Sequence, residues 1–339
     1  MISYSQIKEI DFNRHLLRYE RPATYVLMMV GGLLLFSGFF FDFSWLNNLG
    51  YKHLNYNLPI YLKYVSFIKP LFIITGSYVF FVLLFKNRLI KLYQACKIKP
   101  EIFLIVFLFF LFIFLGFVAY VPFKDYPYSI DEYNFLYQAK IYSQGRLYLE
   151  VPETYKPFVE SYMILRDGKL FSKYPPGFPL ILSIGVLLNH PGLTNPLIAT
   201  TTLFILFCFV KSFLGSKYGL LSVILMASTP YFIAYSASYY SQPTALLLTV
   251  LIFLLVRKYE ITHKNLYLPF IGFFAGYSFL TRPLDSFCVV VPAYAYLTYV
   301  MYKDKRLRKI IYPIFTFAIV FALFLLYNYI LIGKITIAV

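Results

Sequence analysis

From Ile102 to Val121 the chain runs through twenty residues without one charged side chain. A helix of that length, rising 1.5 Å per residue, matches the hydrocarbon core of a bilayer, and lipid is the natural solvent for such a run. Similar runs recur along the sequence, so the fold is confined to helices whose backbone groups satisfy one another inside lipid. Composition agrees. Of 339 residues, 60% are hydrophobic and 14% charged, well below the quarter usual in a soluble globule.

The net charge of +16 would point to nucleic acid in a soluble protein, but its distribution excludes that reading. Nineteen of the thirty-one Lys and Arg residues fall into five short clusters between apolar runs. These are Lys8 to Arg21, Lys86 to Lys99, Lys211 with Lys217, Arg257 to Lys264, and Lys303 to Lys309. Basic loops of this kind mark the cytoplasmic side. Placing all five there gives about nine spans, with the amino terminus inside: Ala23–Phe41, Ser66–Phe85, Ile102–Val121, Leu193–Val210, Leu220–Tyr231, Pro243–Val256, Leu266–Leu280, Leu284–Met301 and Ile310–Ile332. The short apolar stretch Pro176–Asn189 must then dip into the outer leaflet rather than cross. The expected fold is all-α, a polytopic helical membrane protein. Residues 1–100 form an amino-terminal transmembrane hairpin with basic ends, and residues 101–339 a core with an outer loop over 122–175.

That loop holds seven of the fifteen acidic residues: Asp125, Asp131, Glu132, Glu150, Glu153, Glu160 and Asp167. Within it, Ser129-Ile-Asp-Glu132 fits a capping box, in which the serine and glutamate side chains satisfy each other's backbone amides. Gly145 is a natural stop for the helix so opened. Glu132 has a structural task in this reading. Asp131 is free of that task, and it is either a first-turn acid favouring the helix dipole or a catalytic carboxylate. Further along, Lys173-Tyr-Pro-Pro-Gly177 puts a lysine just before a Pro-Pro turn that opens an apolar helix. That place suits a phosphate, and equally suits an interfacial lysine with its stem in lipid. Arg282-Pro-Leu-Asp285 lies between two spans on the same outer face, either as a site or as a local ion pair closing a turn. Asn328, flanked by Tyr327 and Tyr329, is an amide within an apolar helix, where such groups usually bond to a neighbouring helix.

Several chemistries drop out. The four histidines, His15, His53, His190 and His263, are scattered and form no HExxH-like pair. There is no Walker motif, GxGxxG or GxSxG. Cys96, Cys208 and Cys288 imply neither a disulfide framework nor a CxxC site.

In combination, an Asp-Glu pair in the first outer loop, Lys-Tyr-Pro-Pro-Gly, an Arg-Pro after a Gly-rich span and a Tyr-Asn near a later outer end resemble the GT-C glycosyltransferases. The likeness is to bacterial members related to protein O-mannosyltransferases and lipid A aminoarabinose transferases, over about Ile102 to Val339. The resemblance implies a hexosyl- or pentosyltransferase, inverting, in the cell (inner) membrane with its loop on the non-cytoplasmic side. Its donor would be a sugar on polyprenyl phosphate, drawn from the membrane lipid. Its acceptor would be the hydroxyl of a glycan, lipid or protein, with no nucleic acid involved. Asp131 and Glu132 then form the catalytic pair; Lys173, Tyr174, Arg282 and Asn328 bind the donor and its phosphate. No cofactor is required by the motifs, though some branches hold a divalent metal at the first acid, here Asp131. Tyr239-Tyr-Ser-Gln242 stands where relatives often have a second acid. The family usually continues beyond the crossing at which this chain stops, so the expectation is that a working enzyme needs more chain or a partner. The rival from another class is a transporter or flippase for lipid-linked sugars, which would carry ionisable groups at mid-membrane depth. A non-catalytic assembly partner is the third reading.

Overall fold

The structure, a computed structural model, describes residues 99–336. The chain divides into two compact units, residues 1–98 and 99–339, and the described residues belong to the second. The expected spans Ala23–Phe41 and Ser66–Phe85, with Cys96, lie outside them.

The unit opens with α1 (Pro100–Tyr120), whose proline occupies the first turn, where no amide partner is needed. A turn follows, and α2 (Ile130–Ser143) begins at Ser129 with both halves of the capping box formed. It ends where Gly145 turns left-handed, φ 72°, with Gly145 N–H donating to Tyr142 O and Arg146 N–H to Ile141 O. This paired closure satisfies two of the last carbonyls.

The outer loop then departs from the all-α expectation. It contains a three-stranded antiparallel sheet in the order β1-β3-β2, with β1 Leu149–Glu150, β2 Met163–Arg166 and β3 Lys169–Ser172. The reason is local. Asp167 and Gly168 both have positive φ, 50° and 73°, which is the tight hairpin turn that Asp-Gly favours. A 3-10 segment, Glu153–Phe158, joins β1 to β2.

Next come α3 (Gly177–Leu187), α4 (Thr194–Leu214), α5 (Ser216–Ala227), α6 (Pro230–Ser236), α7 (Gln242–Thr262), α8 (Tyr267–Thr281), α9 (Pro283–Lys303) and α10 (Ile311–Ile332). The stretches Pro100–Tyr120, Pro191–Leu214, Pro283–Lys303 and Leu307–Ile332 are long and apolar enough to cross a membrane. The chain is a helical membrane protein. Seven of the nine expected spans fall among the described residues, yet only these four qualify singly. Leu220–Tyr231 is not one helix: α5 and α6 meet at a 73° bend, and taken together they make a fifth span at most. Thr229 caps α6 and Pro230 starts it, so the helix is ended and restarted there. The α8 helix has fifteen residues, and α7 carries Arg257, Lys258 and Glu260 in its last turns. The stretch read as dipping is the eleven-residue α3.

Close backbone approach holds the later helices together. Gly272 and Gly276 lie four apart on α8, and a methyl on Gly272 would fall 2.1 Å from Pro313 O on α10. On Gly276 it would fall 2.7 Å from Val320 Cβ. Small residues at this spacing allow dispersion contacts that lipid cannot replace.

Candidate active site

The core beneath the loop is built by Phe135, Leu136 and Ala139 of α2, Phe178 and Leu182 of α3, Ile198 of α4 and Tyr239. On this floor α2 presents a polar face. Asp131, Asn134 and Gln138 recur at three and four residues, which puts them on one side of the helix. Asn134 and Gln138 are fully buried. The Asn134 amide donates to Ile130 O and Ser161 O, at 2.7 and 3.0 Å. Gln138 donates to Leu147 O at 2.9 Å and accepts the Ser172 amide at 2.8 Å. These bonds clamp the β2–β3 hairpin against α2.

The clamp decides where Lys173 goes. Beyond the last rung, Met163 opposite Ser172, the next pair outward is Tyr162 and Lys173. Lys173 N–H donates to Tyr162 O at 3.0 Å, and its ammonium lies 3.6 Å from the centre of the Tyr162 ring and 5.8 Å from that of Tyr174. Tyr162 takes a left-handed backbone, φ 68°, which is uncommon for a bulky residue. Lys173 forms no ion pair with a carboxylate among the described residues. Its charge is therefore held by aromatic faces and remains open to an anion.

Tyr174, next along, packs on Phe135 at 4.7 Å between ring centres and donates its phenol proton to Asp131 Oδ1. Burial and that bond both push the phenol well above its ordinary range, so it stays a donor through neutral and mildly alkaline pH. Asp131 Oδ2 accepts no hydrogen bond from the described residues.

Glu132, 3% exposed, spends both oxygens on backbone amides. Oε2 accepts Tyr128 and Ser129 N–H, each at 3.0 Å, and Oε1 accepts Tyr239 N–H at 3.0 Å. The last bond ties α2 to the loop Tyr239–Ser241. The Tyr239 phenol donates to Asp125 Oδ1, and burial first, then that bond, raises its pKa. Asn195 of α4 holds the same loop by donating to Ser238 O and Tyr240 O, at 2.5 and 2.9 Å. Burial raises the pKa of the Tyr240 phenol, and the nearby carboxylates of Glu132 and Asp131 push it the same way.

Arg282 closes the circle. It pairs with Asp285, three residues on, and donates to Ser241 Oγ at 3.2 Å. Gly177 packs so tightly against Leu280 and Thr281 that a methyl there would lie 2.6 Å from Leu280 O, and Tyr277 donates to Gly177 O at 2.7 Å. Asp131, Lys173, Tyr174 and Arg282 are thus linked through one continuous set of contacts at one end of the helices. Asn328 is not in that set. Gly333, φ 71°, turns the chain back, so the fully buried Asn328 amide donates to Thr336 O at 2.6 Å rather than to a neighbouring helix. Its Oδ1 has no partner among the described residues.

Residues 173–329 match the family model described as dolichyl-phosphate-mannose-protein mannosyltransferase. The GT-C glycosyltransferase resemblance is borne out. No curated protein matches the chain. Lys173, Tyr174, Arg282 and Asn328 lie inside the matched stretch, while Asp131 and Glu132 precede it.

A divalent metal does not fit the donor set around Asp131. Hard cations want about six oxygens, and here one Asp131 oxygen already accepts a phenol while Glu132 is fully committed to amides. No group of three His, Cys, Asp or Glu is poised for a metal among the described residues. The sequence marked Tyr239 and Tyr240 only as standing where relatives often have a second acid, and it singled out neither Asn134 nor Gln138. Only the Asp131-Asn134-Gln138 spacing could have revealed the last two, because it marks a polar stripe on a helix that opens a loop.

Proposed function

We propose that this glycosyltransferase moves a sugar from polyprenyl phosphate to an acceptor hydroxyl on the non-cytoplasmic face of the membrane. The observation that carries the reading is the hydrogen bond joining Asp131 to Tyr174, the residue after Lys173: it sets a carboxylate with one open oxygen beside a lysine free of carboxylate partners. The bound donor would present its phosphate to the Lys173 ammonium, with Arg282 as the second cation. Charge-assisted bonds of this kind are worth about 1.5–3 kcal/mol each.

In the transfer, the acceptor oxygen bonds to the anomeric carbon as its proton passes to Asp131. The bond from that carbon to the phosphate oxygen breaks, and the added negative charge on the leaving lipid phosphate is met by Lys173 and Arg282. Attack opposite the leaving group inverts the anomeric configuration. Arg282 must share its guanidinium between Asp285, Ser241 and the phosphate, which makes Lys173 the primary contact. Glu132 acts on the shape of the site and not on the substrate.

The testing experiment follows protein-dependent loss of radiolabelled sugar from the polyprenyl-phosphate pool of native membranes, with the full protein and any partner present. Asp131→Asn keeps size and polarity but removes the base, and the expected loss in rate is at least about 10²-fold. Transfer by Asp131→Asn at the wild-type rate would overturn the mechanism.

A further inference from the structure

Tyr174 belongs, by its place in the motif, with the donor-binding residues, yet its polar atom is turned elsewhere. Its hydroxyl donates to Asp131 Oδ1. Its ring packs against Phe135, at 4.7 Å between ring centres, and makes an edge-to-face contact with Tyr162, at 6.0 Å. The backbone is fixed as well, because Tyr174 N–H donates to Ser172 Oγ at 3.2 Å, and buried Ser172 is itself held by Gln138. The phenol therefore reaches Asp131 from a frame held through both its ring contacts and its main chain. Asp131, by contrast, projects from the first turn of α2 and has no other hydrogen-bond partner among the described residues.

A carboxylate with two equivalent oxygens and a free side-chain torsion spends little time aimed at any one point. A single strong donor to one oxygen fixes both the rotamer and the choice of oxygen. We infer that Tyr174 is a positioning residue for the transfer: it holds Asp131 through Oδ1 so that Oδ2 is the oxygen left to receive the acceptor's proton. The inference deepens the function proposed above and rests on it. It separates the neighbours Lys173 and Tyr174 into different tasks, the first toward donor phosphate and the second toward the base.

Tyr174→Phe removes only the hydroxyl and keeps the ring in its packing. Two quantities decide the matter: the dissociation constant for decaprenyl phosphate, and the rate of protein-dependent sugar transfer from a saturating lipid-linked pool in native membranes. For Tyr174→Phe the dissociation constant should stay within about 2-fold of wild type, while the transfer rate falls about 10–100-fold. Lys173→Ala should instead weaken decaprenyl phosphate about 10–100-fold. Unfolding temperature of each variant reports whether the fold survives. Wild-type transfer by Tyr174→Phe, or weakened decaprenyl phosphate binding in proportion to its lost rate, would overturn the inference while Asp131 keeps its role. Wild-type transfer by Asp131→Asn would remove the base, and both proposals would fall together.

Discussion

Adjacent acids at the start of α2 are used in opposite ways. Glu132 accepts three backbone amides and is 3% exposed, while Asp131 accepts one phenol and keeps an oxygen open. In Glu132→Gln one side-chain oxygen becomes an amide donor facing backbone donors, and loss of a charge-assisted bond should cost about 1.5–3 kcal/mol of stability. Thermal unfolding of the two variants side by side checks the contrast, since Asp131→Asn should leave the unfolding temperature nearly unchanged. The unfitness of the site for metal gives another expectation: excess EDTA should leave transfer within about 2-fold of its rate, because the mechanism proposed above routes no step through a Lewis acid. This division of labour was half legible in the sequence. Ser129-x-x-Glu132 announces its own bonds, because a capping box is a local contact between residues three apart. The partners of Asp131 and Glu132 across the fold, Tyr174 and Tyr239, lie 43 and 107 positions away and leave no local mark.

Among elements, the hairpin and the close helix pair do the positioning. The β2–β3 hairpin reaches α2 through Gln138 and Asn134, so Gln138→Leu should leave the Ser172 amide and Leu147 carbonyl unsatisfied. The expected cost is about 1–3 kcal/mol per stranded group, and the β2–β3 amides should lose hydrogen-exchange protection. Gly272→Ala tests the α8–α10 contact, where the new methyl has backbone on one side; overpacking should destabilise by about 1–3 kcal/mol, read from thermal unfolding. Helix boundaries were legible because apolar runs of this length admit little else: Leu284–Met301 was expected where α9 spans Pro283–Lys303, and Ile310–Ile332 where α10 spans Ile311–Ile332. The sheet was missed because its strands are two to four residues long and only Asp167-Gly168 advertises them. The break between α5 and α6 was missed because Ser228-Thr229-Pro230 is short enough to read as a pause within one apolar run.

Taken whole, the described unit has two unlike ends. At one, Glu101 pairs with Lys211 at 2.7 Å, Arg257 with Glu260 at 2.6 Å, His263 with Asp304 at 3.0 Å, and Lys309 donates to Asn265 at 2.8 Å. At the other lie Asp131, Lys173, Tyr174 and Arg282. The basic end is expected in the cytoplasm. In a background lacking Cys96, Cys208 and Cys288, a cysteine at Glu150 should react with an impermeant thiol reagent in intact cells and one at Lys305 should not. Reaction at 305 would invert the topology. The family match begins at residue 173, and that boundary falls between Asp131 and the tyrosine that holds it. A fragment trimmed to the recognisable stretch would keep the lysine but discard the strands that deliver it, the ring it rests on and the acid across from it. The recognisable stretch thus carries one part of the proposed site, and the less recognisable loop before it carries the other.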